Sequence, residues 1–93
     1  MVKSFASTDT QKIWNGERIR GLPLQVQNVA RRKLRVLNNV TQLLELRIPP
    51  GNRLEKLLGN RRGQFSIRIN DQWRICFRWE RGDAYDVEIV DYH

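Results

Sequence analysis

Ninety-three residues suffice for one domain around one hydrophobic core, with no need of covalent staples. The single cysteine, Cys76, excludes an internal disulfide and a multi-cysteine metal site. A net charge of +7 directs the chain toward polyanions, and nucleic acid, a ribosomal surface and an acidic protein all satisfy that demand.

The charge is uneven. Thirteen of the 17 basic residues are arginine, whose planar fork suits phosphate. Residues 1–70 carry 14 basic and 4 acidic side chains, net +10, whereas residues 71–93 carry 3 and 6, net −3. No apolar run follows Met1-Val2-Lys3, and no stretch reaches membrane-spanning length. The expectation is a soluble, cytoplasmic protein of one domain, residues 1–93, with no membrane partner.

In chain order, Lys3-Ser4-Phe5-Ala6 reads as a short edge strand. Ser7-Thr8-Asp9 offers N-caps for a helix over Thr10 to Asn15, with Ile13 and Trp14 facing a core. Gly16 and Gly21 bound a basic loop. After Pro23 the spacing of Val26, Val29, Ala30, Leu34, Leu37, Val40 and Leu44 predicts a helix from Leu24 to Leu44. Arg31, Arg32 and Arg35 lie off that stripe as a basic ridge, fit for phosphate, for an acidic partner, or simply for solvent. Pro49-Pro50-Gly51 breaks the chain, Arg53 to Leu57 reads as a strand, and Gly59 to Gly63 is a basic loop without nucleotide-binding spacing.

The last third alternates with period two, as a meander does. Phe65, Ile67 and Ile69 share a face, and so do Trp73, Ile75, Phe77 and Trp79, then Tyr85, Val87 and Ile89. The other face takes Ser66, Arg68, Arg74, Cys76, Arg78, Asp86 and Glu88. Asn70-Asp71 and Arg81-Gly82-Asp83 supply the turns. The fold class is therefore α+β: a small antiparallel twisted sheet backed by two N-terminal helices, leaving one polar sheet face uncovered.

These residues carry a resemblance. Lys3-Ser4-Phe5, Pro49 to Leu54, Gly59-Asn60-Arg61, Asn70 to Arg74 and the ending Val87 to His93 resemble, in order and spacing, the RelE superfamily of bacterial toxins, in its HigB branch. The resemblance implies a ribosome-dependent messenger-RNA endonuclease needing no cofactor or metal. It implies neutralisation by a HigA-type helix-turn-helix antitoxin, through which alone the pair touches operator DNA. RNA brings its own nucleophile, the ribose 2′-OH, so the site must supply a base, an acid and positive charge on the phosphorane.

On that resemblance Arg74 is the phosphate clamp and His93 the general acid or base. Tyr92 contacts base or phosphate, and Asp91 orients His93 or Arg74 or acts as base. Glu55 stands where some relatives have histidine, and Leu58 where some have lysine, which implies slower cleavage. Arg53, Lys56, Arg61, Arg62 and Arg68 are the RNA- and ribosome-binding candidates, together with Arg31, Arg32 and Arg35. The competing reading is a basic binding module without catalysis, and Arg74 then forms an ordinary cross-strand salt bridge, for instance to Glu88.

Overall fold

The cleanest alternation in the sequence becomes the middle of the sheet. In a computed structural model that describes residues 1–92, strand β3 spans Trp73–Glu80 and sends Ile75 and Phe77 into the core. It pairs antiparallel with β2 (Gln64–Arg68) on one side and β4 (Asp83–Asp91) on the other. A two-residue β1, Glu55–Lys56, extends the sheet beyond β2 in the order β1-β2-β3-β4. The segment read as a strand from Arg53 to Leu57 is thus a short edge, which offers little to a foreign strand.

Both hairpins use the turn residues expected of them. The Asn70 side chain accepts from the backbone N–H groups of Gln72 and Trp73, at 2.9 and 2.8 Å, closing the β2–β3 turn. Between β3 and β4 the two linking residues, Arg81 and Gly82, both sit at positive φ, 52° and 83°. That is the hand of turn that follows the twist of a hairpin.

Strand β4 departs from its predicted alternation. Cys76 pairs with Glu88 but Arg78 pairs with Tyr85, so β4 carries one extra residue at a bulge. Asp86 there takes φ 52°. The bulge moves Ala84 to the core and turns Tyr85 out beside Arg78, whose guanidinium lies 5.5 Å from the ring centroid. Tyr85 therefore does not share a face with Val87. Two hydrogen bonds hold the bulge: Arg78 Nε donates to the Asp86 carboxylate at 2.7 Å, and the Ser4 hydroxyl accepts from the Asp86 N–H at 2.9 Å.

Helix α1 runs over Thr8–Trp14, two residues earlier than predicted, because the Ser7 hydroxyl accepts from the Thr10 N–H at 3.0 Å. Helix α2, Leu24–Asn39, buries Val26, Ala30, Leu34 and Leu37 against the sheet. It stops five residues short of the predicted Leu44. Val40 is extended, and the Glu45 carboxylate accepts from the N–H groups of Thr41 and Gln42, at 3.2 and 2.9 Å, opening a separate 3₁₀ turn over Leu43–Arg47. Those hydrogen bonds, Gln42's first, hold the Glu45 carboxyl below its usual pKa. Leu44 is left in solvent while Leu46 is buried.

The N-terminal segment forms no strand of its own. It makes isolated parallel bridges to β4, Val2 to Ala84 and Phe5 to Val87, and so covers the outer edge of that strand. Both helices lie on one side of the sheet, leaving the Arg74 side to loops.

Candidate active site

The Arg74 side of the sheet is built around one buried guanidinium. Arg74 is only 7% exposed, and its Nε donates to the Ser66 hydroxyl at 2.8 Å across the β2–β3 pair. One terminal nitrogen donates to the Arg53 carbonyl at 2.5 Å. The other faces the Glu55 carboxylate at 3.8 Å, a distance that leaves room for a ligand oxygen to compete. The Tyr92 ring completes the cradle, with its centroid 5.6 Å from the guanidinium carbon.

The break after Ile48 explains how a loop carbonyl comes to hold an arginine. Asn52 is buried, and its amide donates to the carbonyls of Leu46 and Ile48 at 3.2 and 3.3 Å. Lys33, on α2, donates to the Asn52 side-chain oxygen at 2.5 Å. Arg53 then takes φ 44°, a left-handed conformation, and its carbonyl is presented to Arg74. Asn52 and Ser66 were not among the expected site residues. Asn52 lay inside the Pro-Pro-Gly-Asn-Arg-Leu motif, but nothing in its side chain pointed to burial.

The remaining polar groups close around this centre. Glu88 pairs with Arg61 at 3.2 Å and not with Arg74, and Gln64 also accepts from Arg61, at 3.1 Å. Ser66 and Cys76 are fully buried, so this face is less solvated than alternation suggested. Burial pushes the Cys76 thiol above its ordinary pKa; Arg61 and Arg74 pull it down and Glu88 pushes it up. Such a thiol is a packed residue and not a nucleophile.

The expected residues divide. Arg74, Glu55 and Tyr92 meet, with the Arg53 backbone. A shallow depression of about 430 Å³ beside them is lined by Arg61, Val90, Asp91 and Tyr92. Asp91 pairs in register with Trp73, one step beyond the Arg74–Val90 pair, which sets it on the opposite side of the sheet from Arg74. Its carboxylate accepts from Gln72 at 3.1 Å. His93 lies outside the described residues. Lys56 and Arg62 are exposed near the β1 edge, and Arg68 is paired with Asp71.

Arg31, Arg32 and Arg35 do not form a single ridge. Arg31 donates to the carbonyls of Ile13 and Glu17, at 2.9 and 3.3 Å, and Arg35 to that of Trp14, at 3.3 Å. The Arg35 guanidinium also lies 4.4 Å from the Trp14 ring centroid. Both therefore satisfy carbonyls at the end of α1. Arg32, one residue round the helix, points to the other flank, toward Asn70, Pro49 and Ile67.

A family model described as "RelE-like toxin of type II toxin-antitoxin system HigB" matches residues 3–93. The chain belongs to the HigB-like family of RelE-like toxins. It is 46% identical over 71 residues to Toxin HigB-1 of Vibrio cholerae, covering 76% of this chain and 75% of that one. It is 32% identical over 97 residues to Endoribonuclease HigB of Proteus vulgaris, covering both chains completely. The fold is also that of a chain in the YoeB-YefM complex from Staphylococcus aureus, with a TM-score of 0.59 at 14% identity over 100% of this chain and 98% of that one. The α+β architecture is thus the one the HigB resemblance implied.

Proposed function

We propose that this HigB-like chain is an endoribonuclease that cuts messenger RNA on the ribosome and is held inactive by a HigA-type helix-turn-helix antitoxin. The antitoxin makes the operator contacts. The family and the endoribonuclease among its relatives support the activity. The observation that carries the site is the cradled Arg74 guanidinium with Tyr92 against it and Glu55 across from it.

The scissile phosphate sits against Arg74 and draws its free edge away from Glu55. The ribose 2′ oxygen attacks phosphorus as the bond to the 5′ oxygen breaks. A base takes the 2′ proton and an acid returns one to the leaving 5′ oxygen, giving a 2′,3′-cyclic phosphate and a 5′-hydroxyl. Arg74 stabilises the charge that grows on the phosphorane, where a fixed cation acts most strongly. Glu55 and His93 are the acid–base candidates, with Asp91 as positioning residue, and Tyr92 stacks on a base or bonds the phosphate. Arg53, Lys56, Arg61, Arg62 and Arg68 line the approach for the RNA backbone. With Glu55 and Leu58 in place of a histidine and a lysine, cleavage is slow.

The test is deletion of Tyr92 and His93. Growth arrest and cleavage of translated transcripts vanish, while circular dichroism and antitoxin binding stay as in the intact chain. Survival of cleavage in that deletion overturns the assignment of the site. Loss of nothing but ribosome affinity favours a binding module instead.

A further inference from the structure

The loop before β1 reaches Arg74 through its main chain. Arg74 Nε donates to the Ser66 hydroxyl at 2.8 Å. Nη2 donates to the Arg53 carbonyl at 2.5 Å, with the Ser66 carbonyl at 3.4 Å as a second, weaker acceptor. Nη1 is left with the long contact, 3.8 Å to the Glu55 carboxylate. The Arg53 carbonyl thus decides which edge of the planar fork stays open to a phosphate.

That carbonyl is held in an uncommon place. Arg53 sits at φ 44° and ψ 60°, a left-handed conformation that an arginine rarely takes unless its neighbours impose it. Asn52 supplies the constraint. It is 3% exposed, its amide ties the loop back to the Leu46 and Ile48 carbonyls, and its side-chain oxygen accepts from Lys33. Lys33 in turn projects from α2, a helix fixed in the core by the fully buried Ala30, Leu34 and Leu37. A continuous set of contacts therefore runs from the helix layer, through Lys33, Asn52 and the Arg53 carbonyl, to the guanidinium on the other side of the sheet.

We propose that Asn52, braced by Lys33, is a positioning residue of the ribonuclease: it fixes the turn at Arg53 so that a main-chain carbonyl aims the Arg74 guanidinium at the scissile phosphate. The inference rests on Arg74 as the phosphate clamp of the proposed function. It also gives Arg53 a second role besides its charge. The exposed side chain meets the RNA backbone, while the carbonyl aligns the clamp. A residue that only stabilised the loop would act on folding and not through Arg74, and a double-mutant cycle separates the two.

The experiment follows single-turnover cleavage of a translated transcript on ribosomes by the full chain, over a range of chain concentrations. Asn52→Ala is expected to lower the saturating rate by about 10- to 100-fold, with the half-saturating concentration within about twofold of the parent. In the Arg74→Lys background, which has no fork to aim, the same change is expected to cost less than about threefold. Lys33→Met is expected to slow the parent by about 3- to 10-fold and to add nothing to Asn52→Ala. Arg53→Asn and Arg53→Val remove the same charge, but asparagine tolerates the left-handed turn, so Arg53→Val is expected to be the slower by about tenfold at saturation. Equal factors for Asn52→Ala in both backgrounds, or the parent rate in folded Asn52→Ala, overturn the inference and leave the ribonuclease reading intact. Absence of cleavage by the parent chain, or undiminished cleavage by Arg74→Lys, strikes the proposed function itself, so the two failures are distinct. Circular dichroism identifies an Asn52→Ala chain that misfolds, and Lys33→Met with the Arg53 pair then decides by the same criteria.

Discussion

Arg74 Nε and the Ser66 hydroxyl meet at 2.8 Å, both buried, on neighbouring strands. A single side-chain oxygen thereby sets the direction in which the guanidinium points. If Arg74 clamps phosphate, Ser66 governs rate without touching RNA. Losing a hydrogen bond to a charged group is worth roughly 1.5–3 kcal/mol, so Ser66→Ala is expected to slow single-turnover cleavage by about 10- to 100-fold. Arg74→Lys keeps the charge but not the fork and is expected to lose about 100-fold or more. Full activity in Ser66→Ala would show that Arg74 needs no such alignment.

The divided arginines of α2 give a stability prediction. Arg31 satisfies two carbonyls at the end of α1, whereas Arg32 bonds none in the helix contact. Arg31→Ala is expected to cost about 1 kcal/mol in urea unfolding, through loss of the guanidinium's bonds to the carbonyls of Ile13 and Glu17. Arg32→Ala should stay within about 0.5 kcal/mol. Equal costs for the two would contradict the split.

Lys33 links stability to pH. Its folded-state pKa lies below the ordinary 10.5, through burial first and then Arg68 and Arg32. Between the lowered value and 10.5 the unfolded chain holds a proton that the folded chain has released, so this residue makes stability rise with pH across that window. Below it the penalty is fully present. Relative to Lys33→Gln, the parent chain should gain stability as pH climbs through the lowered pKa toward 10.5, measured by urea midpoints at matched ionic strength. A parent curve parallel to that of Lys33→Gln would remove Lys33 as the linked group.

The β4 bulge predicts an order among substitutions at Asp86, where φ is 52°. Asparagine tolerates that conformation and still accepts from Arg78, so Asp86→Asn should be mild. Valine is strained there by about 1–2 kcal/mol and also abandons the guanidinium. Asp86→Val should therefore lower the thermal midpoint clearly more than Asp86→Asn, and an inverted order would mean that the bulge relaxes away.

Much of this architecture was legible before any coordinates. Period-two alternation from Phe65 to Trp79 needs only the geometry of a strand, and the apolar stripe of α2 needs only that of a helix. What escaped depends on side-chain hydrogen bonds, some to partners distant in sequence. The Tyr85 reversal follows from an Arg78–Asp86 bond and a serine hydroxyl 82 residues away. The end of α2 was hidden because Val40 and Leu44 continue the apolar spacing, and the Glu45 bonds that divert the chain look like an ordinary exposed acid. Of the candidate site, Arg74, Glu55 and Tyr92, which the structure brings together, were named through the resemblance. Ser66 and Asn52 were missed, since small polar residues reveal their role only when a buried donor or acceptor faces them.

The bridges from Val2 and Phe5 to β4 bear on biosynthesis. Val2 and Phe5 are translated some eighty positions before Ala84 and Val87, the residues they bridge. Until β4 is made, the Arg74 cradle lacks the Tyr92 ring and the N-terminal segment lacks its partner strand, so both are completed in one step.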